Sequence, residues 1–69
     1  MIRDKILKTA QEAIEQQEGK SARVDYWNLV DVRTHKLIVS VALSVSQDRF
    51  DEFKVWVIAD LDTEQVECV

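Results

Sequence analysis

Residues 37–61 read LIVSVALSVSQDRFDEFKVWVIADL, and the spacing of apolar side chains in this stretch decides the fold. Leu37, Val39, Val41, Leu43 and Val45 alternate with Ile38, Ser40, Ala42, Ser44 and Ser46. After a polar break, Phe53, Val55, Val57, Ala59 and Leu61 alternate with Glu52, Lys54, Trp56, Ile58, Asp60 and Asp62. A period of two places successive side chains on opposite faces of an extended chain, so each run reads as a β-strand with one apolar face. The pair forms the floor of a core.

The residues before this floor supply a cover. From Ile2 to Glu18 the apolar positions Ile2, Ile6, Leu7, Ala10, Ala13 and Ile14 fall in one arc of a helix, while Asp4, Lys8, Gln11, Glu12 and Glu15 lie outside it. Asp4 and Lys8 are spaced for an i,i+4 pair, and Gly19 stands where a left-handed C-cap belongs. A further strand follows over residues 22–33, with Val24, Tyr26, Asn28, Val30 and Val32 read as the core side and Trp27, Leu29, Asp31 and Arg33 as the other. Val66 and Cys68 alternate with Glu67 and Val69, which suits a short closing strand over 65–69. The expectation is an α+β, two-layer fold. One N-terminal helix (2–18) packs on an antiparallel meander of three or four strands (22–33, 37–46, 51–61 and 65–69), all within a single domain, 1–69.

Burial then sets the register. Thr34-His35 forms the first turn, with two or four residues in the loop, and pairing Val30 with Val39 and Val32 with Leu37 keeps apolar side chains on one face. A five-residue second loop, 47–51, pairs Val45 with Phe53, Leu43 with Val55 and Val41 with Val57. A three-residue loop places Asp51 on the core face and is set aside. These registers align Trp27, Ala42 and Trp56 across the face away from the helix, with Leu29, Ser40 and Ile58 in the next row and Ile38 close by. Single exposed apolar residues need no explanation, but a contiguous patch with two indoles does.

A chain of 69 residues with 46% hydrophobic and 32% charged side chains is composed for folding. A core this size supplies only ~3–5 kcal/mol, and small domains commonly add disulfides, metals or association. One cysteine (Cys68) and one histidine (His35) leave association. The net charge of −4 has the wrong sign for wrapping a phosphate backbone, so no nucleic-acid partner is expected. Acidity concentrates late in the chain, where Asp48, Asp51, Glu52, Asp60, Asp62, Glu64 and Glu67 meet only Arg49 and Lys54. The N-terminus lacks a basic segment followed by an apolar one, and no apolar run reaches the ~20 residues of a membrane span. A soluble, cytoplasmic protein without a membrane partner is the expectation.

Residues with chemical potential lack the company that chemistry needs. Asp60, Asp62 and Glu64 imitate the start of a calcium loop, but Gln65 stands where its glycine belongs. Asp31 and Asp60, placed either side of Ile38 by the register above, are ~9.5 Å apart across two strand spacings, too far to share a proton. His35 in a turn and Cys68 near a terminus have no visible partner. No catalytic residue, cofactor or metal ligand is assigned. The expected function is a small non-catalytic protein-interaction module that self-associates through Trp27, Leu29, Ile38, Ala42, Trp56 and Ile58, as a homodimer or with another protein. Two alternatives are a small-molecule binder with a slot between Trp27 and Trp56, and an acidic inhibitor presenting Asp48, Asp51, Asp60, Asp62 and Glu64 to a basic protein surface.

Overall fold

The computed structural model describes residues 2–45 and 52–69. Helix α1 (Ile2–Glu18) precedes strands β1 (Arg23–Arg33), β2 (Lys36–Ser44), β3 (Glu52–Asp60) and β4 (Val66–Cys68). The strands form one antiparallel sheet in the order β1-β2-β3-β4, with the helix on one face. This is the α+β architecture that the two periodicities predict, with the fourth strand present.

The core lies where the helical arc meets the alternating faces. Ile6, Ala10 and Ile14, one helical turn apart, are buried against Val39, Val41, Leu43, Val55, Val57 and Ala59. Ala10, with only a methyl group and no exposed surface, lets the helix backbone approach the sheet closely. Gly19 ends the helix at φ +68, and its N–H donates to the Glu15 carbonyl at 2.8 Å. Asp4, spaced to reach Lys8, instead faces Arg3 at 3.7 Å. A clamp joins the helix to the sheet at Ala22. Gln11 Nε2 donates to the Ala22 carbonyl at 2.6 Å, and the Ala22 N–H donates to Glu15 Oε2 at 2.8 Å. Gln11 and Glu15, four residues apart, lie one above the other on a helix and so reach the same peptide unit.

The first hairpin has the shorter of the two expected loops. Arg33 pairs with Lys36, and Thr34-His35 makes the turn with His35 at φ 66. Histidine is among the few non-glycine residues enriched in the left-handed region, which is how the turn closes without glycine. Asp31, Val32 and Arg33 keep the expected pairing with Ile38, Leu37 and Lys36.

Beyond that point the expected register fails. The pairing shifts between Leu29 and Asp31, leaving Val30 as an extra residue, and shifts again between Val24 and Tyr26, leaving Asp25 as another. Each bulge inserts one residue, and one residue reverses every side chain beyond it. Between the bulges Trp27 therefore opposes Val41 and Leu29 opposes Val39 on the helix side, while Tyr26 opposes Ala42 and Asn28 opposes Ser40 on the outer side. Past the second bulge Val24 returns to the helix side opposite Leu43. Val30 does not meet Val39, and Tyr26 and Asn28 do not face the core. The bulges exchange two polar entries for two large apolar ones on the core side.

The β2–β3 register is also two residues from expectation. Leu43 pairs with Phe53, Val41 with Val55, Val39 with Val57 and Ile38 with Ile58. The faces are preserved because the displacement is even. Among the described residues the ladder runs to Ser44 and Glu52. The expected strand ends at Ser46 and Asp51 and the whole of the second loop, 47–51, lie outside the described residues.

Candidate functional site

The helix does not cover the sheet evenly. α1 packs most closely on β3 and β4 and least on β1. Lys5 Nζ holds the carbonyl of Glu64 in the β3–β4 turn, which pulls the N-terminal half of the helix to that side. The β1 edge of the helix-side face is left open. There Trp27 retains 42% of its surface, Leu29 52% and Val32 60%, and a groove of about 200 Å³ runs between strand and helix, lined by Ile2, Ile6, Leu7, Trp27, Leu29 and Val39. Arg3 supplies the charge at its border. Of the eight large apolar residues exposed among the described ones, Tyr26, Trp27, Leu29, Val30 and Val32 all belong to β1. The exposed apolar surface of the described residues is thus concentrated on one edge strand.

The row of Trp27, Ala42 and Trp56 does not form. Trp27 and Leu29 are on the helix side, whereas Trp56, 48% exposed, is on the outer side and pairs with Ser40. Ala42 is flanked by Tyr26 and Lys54 and is only 1% exposed. The Tyr26 hydroxyl donates to Glu52 Oε1 on β3 at 3.2 Å, so this side chain reaches across β2 on the outer face beside Ala42. Ile38 and Ile58 do pair on the outer face, between Asp31 on β1 and Glu67 on β4, and both are half-buried. The outer face therefore keeps Ile38, Trp56 and Ile58 as a smaller apolar group, and a slot between the two tryptophans is ruled out because the sheet separates them.

Several aspartates are engaged within the fold. Asp25, the extra residue of the second bulge, contacts Arg23 Nε at 3.3 Å and accepts a hydrogen bond from the Ser44 hydroxyl. Asp31 accepts from Arg33 Nε at 2.7 Å, and this hydrogen bond chiefly holds its carboxyl below the ordinary range. The expected Asp31–Asp60 arrangement is absent, because Asp60 pairs with Lys36 rather than Ile38. Asp60 Oδ1 instead accepts the backbone N–H of Asp62 at 2.9 Å and of Thr63 at 3.2 Å. The Thr63 and Asp62 N–H groups depress its pKa. Asp62 faces His35 at 3.1 Å, and Glu64 adopts φ 57, taking the left-handed position for which the chain has no glycine. Asp48 and Asp51 lie outside the described residues. Partial burial pushes the Cys68 thiol up, the opposite of the shift that makes a reactive thiolate. Among the described residues no buried side-chain nitrogen or oxygen lacks a partner.

The sequence pattern singles out Trp27 and Leu29 as exposed apolar residues but puts them on the face away from the helix, and it reads Val30 and Val32 as core-side residues, whereas both are exposed. A signal for the correct placement was present. Val24, Trp27, Leu29 and Val32 are spaced by three, two and three, and a spacing of three within an extended strand marks a bulge. No helix among the described residues is long and apolar enough to cross a membrane. In comparisons with known proteins, no family model, curated protein or solved structure matches the chain.

Proposed function

We propose that this chain is a small protein-interaction module, not an enzyme, and that it self-associates through β1 and the adjoining open part of the helix-side face. The observation that carries this reading is the concentration of Tyr26, Trp27, Leu29, Val30 and Val32 on an edge strand that the helix leaves uncovered. Trp27, Leu29 and Val32 emerge on the helix side of this strand and Tyr26 on the outer side, so the apolar surface wraps around its free edge. Aromatic residues are the common anchors of such contacts, and Trp27 lies midway along the strand. The outer-face group of Ile38, Trp56 and Ile58 is secondary, since Ala42 is buried. The non-catalytic reading is supported by the employment of Asp25, Asp31 and Asp60 in ion pairs and turn hydrogen bonds.

A second reading is favoured by the groove itself, which is apolar along its length and could take a small hydrophobic molecule. Its volume of about 200 Å³ is below the ~300–1,000 Å³ of ordinary ligand pockets, which ranks it second. The acidic-inhibitor reading has less support, because Asp60 and Asp62 are turned toward partners within their own chain.

Light scattering across micromolar to millimolar concentrations tests self-association, with Trp56→Phe leaving Trp27 as the only indole. The expected result is a concentration-dependent dimer in which Trp27 emission shifts to the blue and resists quenching, and a monomer in Leu29→Lys. A wild-type chain that stays monomeric throughout, with freely quenched Trp27, overturns the reading.

A further inference from the structure

The pattern of side chains along β1 specifies how two copies would meet, given the self-association proposed above. β1 is an edge of the sheet, so among the described residues no strand lies beside its outward backbone groups. Counting each bulge as one strand position, Arg23, Tyr26, Asn28, Asp31 and Arg33 follow one another on the outer side. Val24, Trp27, Leu29 and Val32 follow on the helix side. Two copies that pair antiparallel are related by a two-fold axis perpendicular to the sheet, and residues opposite each other share a side. The axis must therefore pass beside a strand position, and Trp27, Asn28 and Leu29 are the central ones.

Charge separates these three registers. With the axis at Asn28, Arg23 lies opposite the partner's Arg33, twice by symmetry, and like charges directly opposite are destabilising. With the axis at Leu29, Arg23 lies beyond the paired region and Asp31 meets the partner's Asn28. With the axis at Trp27, Arg23 lies opposite the partner's Asp31, again twice. On the helix side Val24 then meets the partner's Leu29 on either side of a central Trp27 pair. Only this register places opposite charges together on the outer side and apolar side chains together on the helix side.

We infer that two copies join through β1 in the Trp27-centred antiparallel register, merging their sheets into one with both helices on the same face. The bulges at Asp25 and Val30 then face one another at the two ends of the regular segment Tyr26–Asn28. The two-fold axis uses up the edge of each copy, so the assembly stops at two.

The experiment is a charge exchange across the two-fold axis. Arg23→Asp alone sets two carboxylates against each other, and Asp31→Arg alone sets two guanidinium groups against each other. Each is expected to weaken the dimer on the order of tenfold. An equimolar mixture of the two variants restores both pairs between unlike chains, and the expected product is a heterodimer as tight as the wild type. Loss of the contacts within each chain, Arg23 with Asp25 and Arg33 with Asp31, does not produce that recovery. Analytical ultracentrifugation with one chain fluorescently labelled reads the result. Variants that do not recover on mixing overturn the register. Tightening by Arg23→Asp overturns it in favour of the Asn28 axis, and indifference to Arg23→Asp overturns it in favour of the Leu29 axis or another face. A wild-type chain that never dimerises removes the self-association reading itself, a result that the mixing arms do not mimic.

Discussion

Glu15→Ala tests whether the helix is held to the sheet by hydrogen bonds as well as by packing. Ala22 is 6% exposed, and its N–H donates to Glu15 Oε2 at 2.8 Å. Truncating Glu15 removes that acceptor from a buried donor. Hydrogen bonds to charged groups contribute ~1.5–3 kcal/mol, and an unsatisfied buried donor costs a similar amount. A loss of about 2 kcal/mol is therefore expected, a large share of the ~3–5 kcal/mol available to a core of this size. At ~4–8 °C per kcal/mol for a chain of this length, the melting temperature falls by on the order of 10 °C. Glu15→Gln keeps an oxygen in the same place and loses only the charge, so its cost is about 1 kcal/mol or less. Urea unfolding followed by far-ultraviolet circular dichroism measures both, and amide exchange at Ala22 accelerates in Glu15→Ala alone. A loss below about 0.5 kcal/mol in Glu15→Ala, or equal losses in the two variants, refutes the clamp as a source of stability.

Leu43 is fully buried, and Leu43→Ala is expected to cost ~2.7–5 kcal/mol, which removes the cooperative unfolding transition under native conditions. Gly19→Ala meets no neighbouring atom but places a side chain at φ +68, so the expected loss is about 1 kcal/mol from the backbone alone, read as a lower urea midpoint. Asp60 has its folded pKa depressed by the Thr63 and Asp62 N–H groups. Its contribution is complete above the unfolded value of ~3.9 and fades as pH falls through the lowered folded value. Wild type therefore exceeds Asp60→Ala in urea midpoint at neutral pH, and the difference closes in acid below that range.

Much of the fold was legible because it rests on periods that neighbouring residues repeat. Ile6, Ala10 and Ile14 against the alternating Val39, Val41, Leu43, Val55 and Val57 leave one helix and a sheet with one apolar face as the only consistent arrangement. Gly19 is recognisable as the helix stop from residue type and Thr34-His35 as a turn from its place between two alternating runs, but the left-handed conformation of His35 (φ 66) comes from the two-residue loop that the pairing of Arg33 with Lys36 leaves. The β2–β3 pairing was not legible to the same degree, because a period of two is unchanged by a shift of two. The pattern identifies which face Val55 occupies and is silent on whether it meets Val41 or Leu43.

The sequence alone determined the element order and the helix-facing residues of β2 and β3. The face on which Trp27 and Leu29 emerge was decided only by the tertiary structure. β1 carries large apolar residues at both parities, so local alternation specifies its register weakly. The bulges at Val30 and Asp25 are favourable only because they bring Trp27 and Leu29 over Val41 and Val39 and release Tyr26 and Asn28 from the core. That exchange depends on what β2 presents across the sheet and on how little of β1 the helix covers, and neither quantity exists until the layers are packed together.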